Sequence, residues 1–144
     1  MDGFREVEKF FRKLPRKLEE ASYRALEYSA KKIRRDLSEI FRTEGRSHDV
    51  EWSPLKEAYL KYKIKKGYFE KKLHKTTSLS QSFTYTVERD RATVFTPVPY
   101  APFHEYGTKR GIPPRPFMTP VFQNFIRSGG LEKAFRIAFR EVFG

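Results

Sequence analysis

The chain has 144 residues, with 30 lysines and arginines against 18 aspartates and glutamates, which gives a formal net charge of +12. This length fits one domain, residues 1–144, and the 38% of hydrophobic residues supply a core, so the chain is not a disordered tail. The absence of cysteine excludes disulfides and thiolate chemistry. No apolar run reaches the roughly 18 to 20 residues that cross a bilayer, so we expect a soluble protein without a membrane partner.

The first third of the chain has helical periodicity. Apolar residues recur at steps of three and four from Phe4 to Leu14, and again from Leu18 to Phe41. Pro15 lies between the two series, and proline removes a backbone donor and disfavours the helical conformation at the residue before it. We therefore predict a break or kink at Pro15, followed by a long helix over 16–42.

The segment after this helix carries turn and capping signals. Residues 43–51 have no periodicity and contain a glycine, so they are predicted to form a loop. Ser53-Pro54 is typical of a helix start, because serine caps the first turn and proline is tolerated there. This second helix is predicted to end near Gly67, and Thr77 or Ser78 is expected to cap one further turn.

A β-hairpin is predicted where the periodicity changes to two. Phe83, Tyr85 and Val87 alternate with polar residues, and residues 92–96 are again rich in strand-forming residues. A two-residue turn at Asp90-Arg91 would place Val87 opposite Val94 and Tyr85 opposite Thr96.

Six of the nine prolines lie in residues 97–116, which excludes a central strand or a long helix there. This segment is predicted to be an extended arm with one short turn, Pro102 to Tyr106, ended by Gly107. Its aromatic side chains either contact another protein or fold back onto the hairpin, and the two alternatives are compatible. Two helices, residues 117–127 and 131–143, are predicted to follow.

The sequence offers little support for catalysis or cofactor binding. The three histidines, His48, His74 and His104, lack metal-ligand spacing, and no glycine-rich phosphate loop is present. We therefore expect no metal, no cofactor and no catalytic residue. The alternative, a small basic ribonuclease that uses His104 and Glu105 for acid–base chemistry, is the third-ranked hypothesis.

The strongest concentration of positive charge lies between Lys61 and Lys75, where tyrosines and a phenylalanine are interleaved. This pattern is typical of phosphate contact combined with base stacking. The alternative, which we favour, is a flexible lysine-rich loop whose tyrosines belong to the core. The residues that would contact nucleic acid or an acidic partner are Lys61, Lys63, Lys65, Lys66, Lys71, Lys72 and Lys75.

The order of several short motifs resembles a known family. The motifs are Trp52-Ser53-Pro54-Leu55 with Tyr59, Leu73-His74-Lys75-Thr76 leading to Leu79 and Ser82, the hairpin, Pro99-Tyr100-Ala101 with His104-Glu105-Tyr106-Gly107, and Ile112-Pro113-Pro114-Arg115-Pro116-Phe117. In this order they resemble the phage virion-morphogenesis proteins, which include the Mu G-like tail-completion proteins and the head–tail joining proteins. Thr77-Ser78-Leu79 and the hairpin turn depart from the family pattern, because each lacks the glycine usual there.

The resemblance implies an α+β fold in which a long N-terminal helix and C-terminal helices pack on a small antiparallel sheet with a central hairpin. It implies a noncatalytic structural protein that completes the tail or joins it to the head connector, as a homo-oligomeric ring in the virion, after assembly in the host cytoplasm. The expected partners are tail and connector proteins; a basic nucleic-acid-binding protein is the alternative. The predicted assembly interface comprises Trp52, Leu55, Tyr59, Tyr100, Phe103, His104, Tyr106, Gly107, Lys109, Arg110, Arg115 and Phe117.

Overall fold

One long helix, α1 (Asp2–Arg42), organises the fold. The computed structural model describes residues 2–53 and 79–144, with side chains from residue 5 onward. After α1 come a 3₁₀ turn (Arg46–His48), strands β1 (Thr84–Val87) and β2 (Ala92–Phe95), and helices α2 (Ala101–Tyr106), α3 (Met118–Arg127) and α4 (Gly130–Phe143). Helices packed around a two-stranded antiparallel sheet confirm the predicted α+β class.

The predicted break at Pro15 is wrong, because α1 continues through this residue. A proline in a helix leaves the carbonyl four residues earlier, here that of Phe11, without its usual donor. Both Pro15 and Phe11 are exposed, so water can hydrate the freed carbonyl and the helix persists. The predicted end of the helix at residue 42 is confirmed.

A sharp turn after α1 brings the chain back toward the helix. Gly45 has a φ of 94°, and its N–H donates to the carbonyl of Ile40 at 2.9 Å. A Cβ at this position would lie 2.3 Å from the Val50 carbonyl oxygen, so only glycine fits. The turn directs Trp52 onto the end of α1, where the two side chains Trp52 and Phe41 meet edge to face.

The hairpin forms as predicted, but its predicted register is wrong by two residues. The observed pairs are Thr84 with Phe95, Tyr85 with Val94, Thr86 with Thr93 and Val87 with Ala92. The turn lies one residue earlier than predicted, since the Glu88 N–H donates to the Arg91 carbonyl at 2.7 Å. Side chains alternate with a period of two, so this shift keeps the same residues on the inner face.

The main core is an aromatic cluster at the C-terminal half of α1. Phe41 lies 5.5 Å from Trp52, 5.8 Å from Phe83 and 5.2 Å from Phe117, measured between ring centroids. A second cluster joins α4 to the middle of α1 through buried alanines, namely Ala25, Ala134 and Ala138. The small side chain of alanine allows the two helix backbones to approach closely.

The predicted helix from Ser53 to Gly67, the turn capped by Thr77 or Ser78, and the lysine-rich residues Lys61–Lys75 lie outside the described residues. Within residues 2–53 and 79–144, no helix is both long and apolar enough to cross a membrane.

Candidate assembly surface

The proline segment, residues 97–116, is folded against the rest of the protein and is not an extended arm. The predicted short turn is present as α2, which ends at Gly107. The segment then reverses, and the Arg115 N–H donates to the His104 carbonyl at 2.7 Å. Phe117 follows directly and is fully buried. The buried part of this segment therefore folds back onto the protein itself, which is one of the two alternatives predicted for its aromatic side chains.

Glu105 is the buried anchor of this region. Its Oε2 accepts hydrogen bonds from the N–H groups of Phe117 at 2.7 Å and Met118 at 3.2 Å. Its Oε1 accepts from the N–H and the hydroxyl of Thr119, both at 2.9 Å. The first N–H groups of a helix have no partner within the helix, so this carboxylate caps α3 from a distant part of the chain. Glu105 therefore fixes α2 to the start of α3.

Two further side chains tie the same region to the segment after α1. The Nε1–H of Trp52 donates to the Pro116 carbonyl at 2.8 Å. The Nε–H of Arg115, itself buried, donates to the Ser53 carbonyl at 3.0 Å. Residues more than 60 positions apart are thus held together by side-chain bonds to backbone carbonyls, and this region forms one rigid unit.

Gly107 is required by the turn that follows α2. Its backbone has φ 75° and ψ 177°, a combination that is essentially restricted to glycine. A Cβ here would lie 2.8 Å from the Ile112 carbonyl oxygen. This turn places Lys109 and Arg110 in solvent.

His104 is half-buried, and Glu105 beside it in the chain is bound to the start of α3. Burial, with a smaller contribution from the positive charge of Arg115, lowers the pKa of His104 below its ordinary value. Its Nδ1 is buried without a hydrogen-bond partner among the described residues, and its ring meets that of Tyr100 edge to face. Both oxygens of Glu105 accept hydrogen bonds from the start of α3. Among the described residues, no group of three potential ligands could hold a metal ion.

Exposed aromatic side chains project from this rigid unit. Tyr106 is 76% exposed and Phe103 is 53% exposed, and Tyr100 is exposed to a smaller extent. Beside them lies an apolar groove of about 450 Å³, formed by the end of β2, the prolines that follow it, and α2. We call the groove and its exposed rim residues, Phe95 and Tyr106, the α2 groove.

The predicted interface residues thus fall into three groups. The side chains of Trp52, Arg115 and Phe117 are buried and support the surface from below. Tyr100, Phe103, Tyr106, Lys109 and Arg110 are exposed, whereas His104 and Gly107 are partly buried. Leu55, Tyr59 and the seven lysines lie outside the described residues.

Sequence reasoning did not identify the structural role of Glu105 or the groove lined by Phe95. A signal for Glu105 was present, because an acidic residue inside an otherwise apolar and proline-rich segment indicates a buried partner. Phe95 carries no such signal, since its position on the groove depends on how α2 packs beside the end of β2.

Comparison with known proteins agrees with the order of the motifs. A family model described as the phage virion morphogenesis family matches residues 2–144. No curated protein and no solved structure matches the chain. The match includes the motifs in residues 52–120 and extends beyond them on both sides. It confirms the resemblance to the phage virion-morphogenesis proteins that these motifs indicated.

Proposed function

Because this chain belongs to the phage virion morphogenesis family, we propose that it completes the phage tail or joins the tail to the head connector, as a noncatalytic homo-oligomeric ring. Membership of the family gives it a structural role in phage assembly, contacts with other virion proteins and a place in the virion. We propose further that the whole chain acts as one domain and that the ring assembles in the host cytoplasm.

The observation that supports the proposal most is that buried motif residues hold exposed motif residues in place. Glu105, Gly107 and Arg115 hold the backbone in place, and the residues they position are exposed aromatic and basic side chains. Aromatic side chains on a rigid backbone lose little conformational entropy when they dock, so such a surface suits protein contact. The net charge of +12 favours acidic surfaces on the tail or connector partners.

The ring predicts a defined oligomer of the purified protein. We expect native mass spectrometry to show one dominant species of several subunits, and negative-stain images to show closed rings. A protein that stays monomeric at high concentration, and also in the presence of tail proteins, would contradict the ring.

A second candidate function, nucleic-acid binding, is favoured by a basic groove on α1. This groove has a volume of about 520 Å³. One side is lined by Lys31, Arg34, Arg35 and Ser38, and the other by Ser80, Gln81 and Phe83. Arg34 is held over the ring of Tyr85, 4.9 Å from its centroid. Among the described residues, no acidic side chain lines the groove.

If this groove contacts phosphates, the affinity for duplex DNA will fall linearly with salt in a log–log plot. Replacing Arg34 and Arg35 with alanine should then reduce the slope by about 2, because each phosphate contact contributes about 0.9. Arg136, an exposed arginine on α4, provides the matched control, since Arg136→Ala should leave the slope unchanged. Binding that vanishes at physiological salt would count against this function.

A further inference from the structure

Two clusters of polar, mainly basic side chains repeat along one face of α1. The first, which we call the N-terminal patch, consists of Lys9, Arg12, Lys13 and Arg16. The second, which we call the groove patch, lines the basic groove of α1 and consists of Lys31, Arg34, Arg35 and Ser38. All eight residues are exposed. In each patch they occupy positions i, i+3, i+4 and i+7, which lie on one face of a helix.

The groove patch repeats the N-terminal patch 22 positions later along the chain. Lys9 corresponds to Lys31, and Lys13 corresponds to Arg35. Since an α-helix has about 3.6 residues per turn, this offset makes about six turns, and the two patches point in nearly the same direction. At a rise of about 1.5 Å per residue, they lie about 33 Å apart along the helix axis. Helix α1 is continuous over Asp2–Arg42, so a single element sets this separation.

The positive charge of α1 is concentrated in the two stretches that carry the patches. Residues 5–17 contain six basic and two acidic residues, and residues 31–36 contain four basic residues and one acidic residue. Between them, residues 18–30 contain one basic residue and three acidic residues. A ligand that matches this helix therefore presents negative charge at two places about 33 Å apart.

Ion pairs within α1 compensate only part of the charge of the patches. In the N-terminal patch, Arg12 lies 4.0 Å from the carboxylate of Glu8. In the groove patch, Lys31 lies 3.1 Å from the carboxylate of Glu27. Both pairs are accessible to solvent, and ion pairs of this kind are weak, so a phosphate can compete for both bases.

Double-stranded DNA matches the separation of the patches. Each strand returns to the same side of the duplex once per helical turn, which is about 34 to 36 Å. A helix that lies along the duplex axis with patches about 33 Å apart therefore meets phosphates at both patches. Lysine, arginine and serine side chains, the three types present in the patches, are common phosphate donors. Single strands and acidic polypeptides carry negative charge without a fixed repeat of this length, so the spacing favours the duplex.

We propose that α1 binds double-stranded DNA along the duplex axis, with the N-terminal patch and the groove patch on backbone phosphates one helical turn apart. This inference rests on the nucleic-acid binding proposed for the basic groove, and it adds a second contact at the N-terminal end of the helix. Because the contacts are to phosphates, binding is independent of the base sequence.

Duplexes with charged phosphates in two blocks test the spacing directly. Each duplex carries two blocks of about four base pairs with native phosphates, and neutral methylphosphonates replace the phosphates elsewhere. The block centres are 10 base pairs apart in one duplex and 15 base pairs apart, about 51 Å, in the other. We expect the wild type to bind the first duplex at least about tenfold more tightly by fluorescence anisotropy, because only this spacing lets both patches bind at once.

Paired substitutions assign the two contacts to the two patches. The first variant carries Lys9→Ala and Lys13→Ala, and the second carries Arg34→Ala and Arg35→Ala. These residues are exposed and alanine favours helix, so both variants should fold. Each variant should lose most of the preference for the 10-base-pair spacing. On a native 20-base-pair duplex, each should lower the slope of log affinity against log salt by about 2.

A control variant separates the patches from the general effect of positive charge. Lys133 and Arg136 are exposed basic residues on α4 and belong to neither patch. Lys133→Ala combined with Arg136→Ala removes the same charge as each test variant. This control should keep both the wild-type salt slope and the preference for the 10-base-pair spacing.

The outcomes separate the two-patch contact from nucleic-acid binding by the groove. A native duplex that does not bind even at low salt would overturn both. A salt slope that falls in the Arg34 and Arg35 variant but not in the Lys9 and Lys13 variant would overturn the N-terminal contact while the groove function stands. Equal affinity for the two spaced duplexes would likewise overturn only the two-patch contact. Polyglutamate or a 20-nucleotide single strand that binds as tightly as the native duplex would overturn the preference for duplex DNA.

Discussion

Replacing Glu105 with alanine is expected to lower the free energy of unfolding by about 3 kcal/mol, because hydrogen bonds to a charged group contribute roughly 1.5 to 3 kcal/mol each and are not additive. The carboxylate accepts four hydrogen bonds from the start of α3, and its loss leaves the buried Phe117 N–H without this acceptor. The measurement is urea unfolding followed by circular dichroism, in which the midpoint should fall while the slope stays constant.

The matched control for this variant is Glu132→Ala. Glu132 is an acidic residue in the first turn of α4, and unlike Glu105 it is exposed. Its removal should change stability by no more than about 0.5 kcal/mol. Glu105→Gln should fall between the two, since an amide keeps one acceptor oxygen but turns an NH₂ group toward backbone donors. Equal stability of Glu105→Ala and Glu132→Ala would contradict the anchoring role of Glu105.

Local signals in the sequence were sufficient for most of the secondary structure. The periodicity from Leu18 to Phe41, the alternation around Tyr85 and the glycine at position 107 each reflect a physical requirement that acts within a few residues. Pro15 misled the prediction because the cost of proline in a helix depends on whether water can reach the freed carbonyl. Exposure is set by the tertiary structure, which the local sequence does not contain.

The sequence predicted which residues belong to the site, but it did not predict which of them are buried and which are exposed. The motifs containing Trp52, Tyr106 and Phe117 were recognised by order and spacing, and this grouped residues that are needed for the fold with residues that face solvent. Burial separates the two kinds: Trp52 and Phe117 are in the core, whereas Tyr106 is exposed. The hairpin register could not be derived because the turn lacks the glycine that usually identifies its type.

The apolar face of the N-terminal part of α1 was visible in the sequence, but its exposure among the described residues was not. A continuous apolar pattern is normally taken as evidence of burial within the same chain. Here α4 covers the face around Ala25, and Phe11 is left exposed.

Replacing Trp52 with alanine is expected to be the most destabilising single change, at about 3 to 5 kcal/mol, because it removes a fully buried aromatic side chain from the centre of the core. The variant loses the edge-to-face contact with Phe41 and the hydrogen bond from Nε1 to the Pro116 carbonyl. Since this bond holds the segment before Phe117, the α2 groove should also loosen. Urea unfolding at one protein concentration measures the first effect, and hydrogen exchange of residues 101–117 measures the second.

Trp52→Phe separates packing from hydrogen bonding in this prediction. Phenylalanine keeps an aromatic ring against Phe41 but leaves the Pro116 carbonyl without its donor, which costs about 1 to 3 kcal/mol. Tyr106→Ala, the removal of an exposed aromatic side chain, should change stability by about 0.5 kcal/mol or less. The expected order is therefore Trp52→Ala, then Trp52→Phe, then Tyr106→Ala, from most to least destabilised. If Tyr106→Ala destabilised the protein as much as Trp52→Ala, the assignment of Trp52 to the core and of Tyr106 to the surface would be wrong. The division of the predicted interface residues into buried supporting residues and exposed contact residues would then be wrong as well.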